Sequence, residues 1–179
     1  MSGSDGARDG RLEEEHAEAR LVAFHEAAHA VADLKAGFCP WGATILPHEH
    51  AAGSSGSVYG FDGTQGEEDG RGWIISLLAG YVASLVAGEE PEQARLAASS
   101  DFERAEEAIR ILGHGDISSW TARAQSFVRE HWQAITAVAE ELLLHKTLDD
   151  GELDLIVSAA EGDPSADVSR YRALRGWEG

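Results

Sequence analysis

Apolar residues recur every three to four positions over most of the chain, which is the period of an amphipathic α-helix. Residues 11–36 predict one long helix that opens on acidic side chains and stops at Gly37. Residues 72–87 predict a second, buried helix, whose small residues such as Gly80 would let another helix approach closely. Its uncharged run is shorter than the roughly 20 residues that a membrane span needs.

The second half of the chain predicts three further helices. One spans residues 99–112, with capping side chains at positions 99–101, and a long one starts at position 116 or 118 and ends near 146. A short helix follows, with Thr147 as its cap. The long helix carries a predicted core stripe of bulky apolar residues, namely Trp120, Phe127, Trp132, Ile135, Val138, Leu142 and Leu143.

Short β-branched segments at residues 43–46 and 57–61 predict two strands. The predicted fold class is therefore mainly α with a small β-hairpin or sheet, which would lie over the first helix. Residues 1–10 are polar and predict a disordered leader, and residues 161–179 predict a polar C-terminal tail. Residues 11–160 would form a single domain.

Composition narrows the classes of function. Hydrophobic residues make up 43% of the chain, enough for a core, and Cys39 is the only cysteine, so neither a disulfide nor a cysteine-rich zinc module can form. The net charge of −18 argues against nucleic-acid binding and against adhesion to acidic lipid. We expect a cytoplasmic protein without a membrane span, because no apolar signal segment is recognisable at the N-terminus.

The first predicted helix contains an HExxH sequence, His25-Glu26-Ala27-Ala28-His29. Side chains four positions apart lie on one face of a helix, so both histidines can bind one zinc ion, with Glu26 beside them. In zinc hydrolases a carboxylate in this position reaches the water that the zinc activates. Two half-buried histidines with a surface glutamate between them are the alternative.

A zinc hydrolase needs a third protein ligand, and spacing alone does not identify it. His16, His48, His50, His131 and His145 are expected to be surface residues. Many carboxylates remain as candidates: Asp33, Glu67, Glu68, Asp69, Glu89, Glu90, Asp101 and Glu103.

Five stretches in order resemble the peptidase domain of the FtsH family of zinc proteases. Residues 25–29 resemble the family's HEAGH, residues 44–47 (TILP) its TIIP strand, and residues 78–83 (LAGYVA) its LGGRAA. Residues 98–105 (ASSDFERA) resemble its ASNDLERAT, and residues 141–149 its C-terminal LL and TLD positions. The resemblance covers residues 15 to 160 and implies an FtsH-peptidase-like zinc metalloprotease domain.

The resemblance implies that Asp101 is the third zinc ligand, beside His25 and His29, and that Glu26 is the general base. It also implies that a strand near residues 44–46 binds the substrate backbone by edge pairing.

Three positions depart from the family pattern: Ala28 replaces a glycine, Ser84 a glutamate and Ser100 an asparagine. We expect each departure to alter the surroundings of the metal without removing a ligand.

No ATPase module or membrane anchor is recognisable in these 179 residues. We therefore expect an ATP-independent zinc peptidase acting on short peptides or unfolded protein, or on a protein that a separate ATPase or adaptor delivers. The family also suggests a homo-oligomer. The alternative is a metal-binding, proteolytically inactive module for interaction or regulation.

Overall fold

The structure is a computed structural model that describes residues 5–46, 61–174 and 176. These residues are mainly helical, with a small two-stranded antiparallel sheet, which confirms the coarse fold class. In chain order the elements are α1 (Asp5–Lys35), β1 (Gly42–Thr44), α2 (Glu67–Ala87), α3 (Pro91–Ala97), α4 (Ser99–Leu112), α5 (Ile117–Glu130), α6 (Trp132–His145), β2 (Thr147–Asp149), α7 (Asp150–Ala160) and α8 (Val168–Leu174).

Helices α1 and α2 pack side by side and run in opposite directions. His25 near the middle of α1 lies beside Ser84, Asp33 bonds to Ser76, and Ala36 just after α1 lies against Gly72. The four residues Gly72, Ser76, Gly80 and Ser84 recur every fourth position on one face of α2, and we call them the small-residue ladder. Their small size allows the close approach that the sequence predicts.

The hydrophobic core lies between α1, α2, α4, α5, α6 and α7. Of the predicted stripe, Trp120, Ile135, Val138 and Leu142 are buried, and the other three residues are partly buried against the core. Trp132 stacks on Phe24 of α1, with ring centroids 5.1 Å apart. This contact fixes α6 against the helix that carries the HExxH motif.

The long helix predicted for residues 116–146 is in fact two helices, separated at His131. His131 has φ −102° and ψ 15°, outside the α-helical range, and it ends α5 as its C-cap. Its ring contacts Phe127 and ion-pairs with Glu161, 3.4 Å away. Such tertiary contacts leave no trace in hydrophobic periodicity. His131 is therefore partly buried rather than a surface residue, and so is His145, which faces Glu141.

The sheet pairs segments far apart in sequence. In β1 and β2, Gly42 lies opposite Asp149, Ala43 opposite Leu148 and Thr44 opposite Thr147. The assignment of Thr147 as a helix cap is therefore wrong. Asp149 caps α7 instead, because its side chain accepts a hydrogen bond from the backbone N–H of Glu152 at 2.9 Å.

The strand predicted at 57–61 lies outside the described residues except for Phe61, which is not in a strand. His48 and His50 also lie outside them, whereas His16 is exposed as expected.

Helix boundaries differ from the sequence-based ones at both ends of the chain. Helix α1 begins at Asp5, so residues 5–10 of the predicted leader are helical. In the predicted C-terminal tail, residues 168–174 form α8, where Arg172 ion-pairs with the buried Glu141. A helix of seven residues is too short for its hydrophobic pattern to stand out, and its ion-pair partner Glu141 is distant in sequence.

Helix α2 begins at Glu67 and is longer than the predicted helix. The side chain of Asp69 accepts a hydrogen bond from the N–H of Gly66 and extends the helix by a polar first turn. At 21 residues it is long and apolar enough to cross a membrane, but 61% of its most apolar 18-residue window is buried inside the protein. Cytoplasmic localisation stays a prediction.

The close contact of α1 and α2 predicts that the ladder tolerates no added methyl group at Gly72. A Cβ there would lie 2.7 Å from Cβ of Ala36, so the two helices must separate. We expect Gly72→Ala to lower the free energy of unfolding by about 1–2 kcal/mol, measured by urea denaturation.

Gly151→Ala in α7 is the matched control. Its Cβ would meet only Oδ1 of Asp149, at an ordinary 3.5 Å. It should be neutral or stabilise by about 0.4–1 kcal/mol. Equal effects of the two substitutions would contradict the close packing.

Candidate metal centre

The two motif histidines lie on the face of α1 that meets α2. They are one helical turn apart, and their Nε2 atoms are separated by 3.0 Å. Both side chains are largely buried, with exposed fractions of 15% for His25 and 8% for His29. Glu26 between them is buried as well, so the alternative of half-buried histidines with a surface glutamate does not describe this helix face.

Asp101 reaches the same point from a third helix. It is the third residue of α4, and its Oδ2 lies 3.4 Å from Nε2 of His25 and 3.4 Å from Nε2 of His29. The N-cap of α4 is Ala98, without a side-chain hydrogen bond, so Asp101 is not the capping residue that its position suggests. The structure thus brings all three predicted ligands together.

The three atoms have the separations that a tetrahedral zinc ion requires. Zinc–nitrogen and zinc–oxygen bonds of about 2.0–2.1 Å at tetrahedral angles place neighbouring ligand atoms about 3.3 Å apart. The observed separations are 3.0, 3.4 and 3.4 Å. Two imidazoles and one carboxylate are also a ligand set that zinc hydrolases use, with a fourth position left for water. The site therefore fits zinc.

The second ring nitrogen of His29 fixes its orientation. Nδ1 lies 2.8 Å from the backbone carbonyl oxygen of Ser76. A carbonyl only accepts hydrogen bonds, so Nδ1 is the donor, and Nε2 is the atom that neutral His29 offers to a metal.

Gly80 completes the cradle, one turn further along α2. A Cβ at this position would lie 2.5 Å from Nε2 of His29 and 2.8 Å from Cε1 of His25. The histidine rings can occupy their positions because Gly80 has no side chain.

The three departures from the family pattern have different surroundings. Oγ of Ser84 lies 3.5 Å from Nδ1 of His25, at the long limit of a hydrogen bond, so His25 is held less firmly than His29. Ala28 is fully buried in the core, and Ser100 is exposed. Of the three positions, Ser84 is the one with a polar contact to a ligand histidine.

Glu26 follows His25 on α1. Its side chain is buried, and Oε2 has no hydrogen-bond partner in the described part of the chain. A buried polar atom without a partner is uncommon in proteins and calls for an explanation. Together with His25 and Ser84, Glu26 lines a cleft of about 270 Å³ whose apolar wall includes Leu21 and Val22.

The electrostatics of the metal-free site tie its ligands together. Burial opposes protonation of His29, but the hydrogen bond and charge of Asp101, with the charges of Glu26 and Asp33, raise the pKa of His29 to about 9. Burial raises the pKa of Asp101, yet the hydrogen bonds and charges of both histidines outweigh it and hold that pKa far below its usual value. Without metal, a proton on His29 thus takes the place of the cation.

Two buried polar groups beside this site are not evident from the sequence. Asp33 is one of eight candidate carboxylates there, and Ser76 is one of several small residues on a buried helix. The signal that finds them is shared spacing: Asp33 follows His29 by four residues, as Ser76 precedes Gly80 by four. Because α1 and α2 are antiparallel, a step of four residues forward on α1 matches a step of four residues back on α2. The two steps bring Asp33 and Ser76 together.

Comparison with protein-family models gives no match for this chain, and a search of curated proteins gives none either. The metal-centre hypothesis therefore rests on the motifs and on the geometry.

We predict opposite pH dependences of stability without and with zinc. In the metal-free protein, the raised pKa of His29 adds stability that is full below about pH 6.5 and is lost as the pH rises towards about 9. Thermal unfolding in EDTA should show this loss, of the order of 1–3 kcal/mol. Zinc displaces the proton, so its stabilisation should grow over the same pH range. A metal-free protein with the same stability at pH 6.5 and pH 9 would contradict the pairing.

We also predict that a methyl group at Gly80 disrupts zinc binding. Gly80→Ala would push its Cβ into both histidine rings, and zinc affinity should fall by about tenfold or more, as measured by competition with a chromophoric chelator. Gly151→Ala is again the control and should bind zinc like the wild type. Unchanged affinity in Gly80→Ala would show that the ligand rings lie elsewhere.

Proposed function

We propose that this chain is a zinc-dependent, ATP-independent peptidase that hydrolyses peptide bonds of short or unfolded polypeptides. The observation that carries the proposal is the convergence of His25, His29 and Asp101 beside the buried, unpaired carboxylate of Glu26. A site that only binds metal has no use for such a carboxylate, whereas a hydrolase requires a base.

The residues have separate roles in the proposed reaction. His25, His29 and Asp101 would hold the zinc ion. Zinc in such a site polarises a carbonyl group and lowers the pKa of its water to about 7. Glu26 takes the proton from the water that attacks the peptide carbonyl and then delivers it to the leaving amine. The cleft beside Glu26 positions the substrate and excludes bulk water.

The FtsH-like character of the domain is part of the same proposal, supported by where the motif stretches lie. The HEAAH stretch is on α1, the stretch at 78–83 on α2, and the stretch at 98–105 at the start of α4, so the three meet at the metal centre. The other two stretches that resemble the family include residues 44–47 and 147–149. Strands β1 and β2 overlap these stretches and pair with each other.

A substrate backbone can pair with β1, as the family resemblance implies. Within the described residues β1 bonds to β2 along one edge, and its other edge has no strand partner. An extended peptide adding to that edge would satisfy backbone groups whatever its sequence. This mode suits unfolded substrates, or a protein that a separate ATPase or adaptor delivers. Cytoplasmic localisation and assembly into a homo-oligomer are also part of the proposal.

Glu26→Gln tests the role of the base. The amide cannot accept the proton, so cleavage of casein or of short peptides should fall by about 10²–10⁴-fold. Zinc content should stay near one ion per chain, because Glu26 is not a ligand. Thr121→Ala, which removes a partly buried hydroxyl from α5, serves as a control with full activity expected.

The same measurements distinguish a zinc peptidase from a metal-binding module without proteolytic activity. Loss of activity in Glu26→Gln with zinc retained would support the peptidase. A zinc-loaded wild-type chain that cleaves no unfolded substrate would instead support the metal-binding interaction or regulatory module.

A further inference from the structure

Asp33 is a buried carboxylate that the proposed reaction does not use. It lies on α1 one turn after His29, and its side chain is 1% exposed. Oδ1 accepts a hydrogen bond of 2.6 Å from Oγ of Ser76, while Oδ2 has no partner among the described residues. Burying a carboxylate with an unpaired oxygen is unfavourable. What Asp33 contributes must therefore be sought in the groups around it.

Ser76 connects Asp33 to a metal ligand. Its hydroxyl donates to Asp33, and its backbone carbonyl accepts the hydrogen bond from Nδ1 of His29 at 2.8 Å. Ser76 of α2 is therefore held by one side chain of α1, Asp33, and orients another, His29. One turn later, Gly80 lies so close to both histidine rings that a Cβ there would clash with them, so a shift of α2 along α1 would disturb both histidines.

Arg104 brings the third helix into this arrangement. It lies on α4, three residues after Asp101. Burial raises the pKa of Asp33, and the hydrogen bond from Ser76 and the charges of His29 and Arg104 oppose that rise. Its guanidinium also stacks over the ring of Trp73 on α2, 4.8 Å from the ring centroid. Asp33 thus lies where the two helices that carry the ligands meet α2.

We propose that Asp33 is a positioning residue for the metal centre, which acts through Ser76 to hold the turn of α2 that orients His29. The inference rests on the metal centre proposed above, but it does not require that the chain cleaves peptides. Groups that orient a ligand histidine typically change metal affinity by 10–100-fold when they are removed.

The test is metal binding rather than activity. Co²⁺ replaces zinc as a coloured probe, and its absorption bands report the geometry and number of its ligands. Asp33→Ala and Ser76→Ala should each weaken zinc binding by about 10–100-fold and alter the Co²⁺ spectrum. Because both act through one hydrogen bond, the double variant should lose little more than either single variant. Asp33→Asn keeps an oxygen acceptor for Ser76 and should retain most of the affinity.

Val157→Ala separates positioning from general stability. Val157 is buried in α7, a helix without a metal ligand, so its truncation should lower the melting temperature while leaving zinc affinity and the Co²⁺ spectrum unchanged.

Several results would overturn the proposal. One is wild-type metal affinity and an unchanged Co²⁺ spectrum in both Asp33→Ala and Ser76→Ala. Another is a loss of affinity that Val157→Ala reproduces at the same loss of stability. Asp33→Asn remains informative if the alanine variants fail to fold, since an affinity loss as large as that of Gly80→Ala would contradict a role through the hydrogen bond to Ser76.

A wild-type chain that binds metal but cleaves nothing would overturn the peptidase and leave this proposal standing. A wild-type chain that binds no metal would overturn both.

Discussion

The close antiparallel contact of α1 and α2 is the constraint on which the rest of the structure depends. The small-residue ladder lets the two helices approach so closely that the histidine rings of α1 leave no room for a Cβ at Gly80 of α2. That proximity makes the carbonyl of Ser76 a partner for His29 and the absent side chain of Gly80 the space for both rings. Packing and ligand orientation are thus fixed by the same residues. Most substitutions in this contact should therefore affect stability and metal binding together.

The third ligand comes from outside that helix pair. Asp101 extends from the first turn of α4, a helix held against α2 by the edge-to-face contact of Phe102 with Tyr81, whose ring centroids are 5.0 Å apart. A zinc ion would therefore link α1 to α4 across the face of α2. Metal binding adds to folding stability when the ligands are brought together only in the folded chain. Without metal, burial opposes protonation of His29, but the hydrogen bond and charge of Asp101 raise its pKa, and this ties the stability of the site to pH.

Part of this arrangement is predictable from the sequence, and the reason is local geometry. The HExxH spacing places His25 and His29 on one helix face wherever that helix lies, and the spacing of small residues in α2 predicts a close helix contact. Asp101 is different, because no local rule selects it from eight carboxylates and only the family resemblance singled it out. The structure then brings it within 3.4 Å of both histidines.

The break at His131, the pairing of β1 with β2 and the docking of α8 through Arg172 all depend on partners distant in sequence. Periodicity and capping signals carry no information on such partners, and Asp33 and Ser76 became recognisable as a pair only when two helices were set side by side.

Anomalous diffraction at the zinc absorption edge, from crystals of the zinc-loaded protein, tests the central claim most directly. The account predicts one strong zinc peak per chain, bonded to Nε2 of His25, Nε2 of His29 and a carboxylate oxygen of Asp101, with the carboxylate of Glu26 near the remaining coordination position. A zinc ion bound by other residues, or zinc on the two histidines with Asp101 turned away, would contradict it.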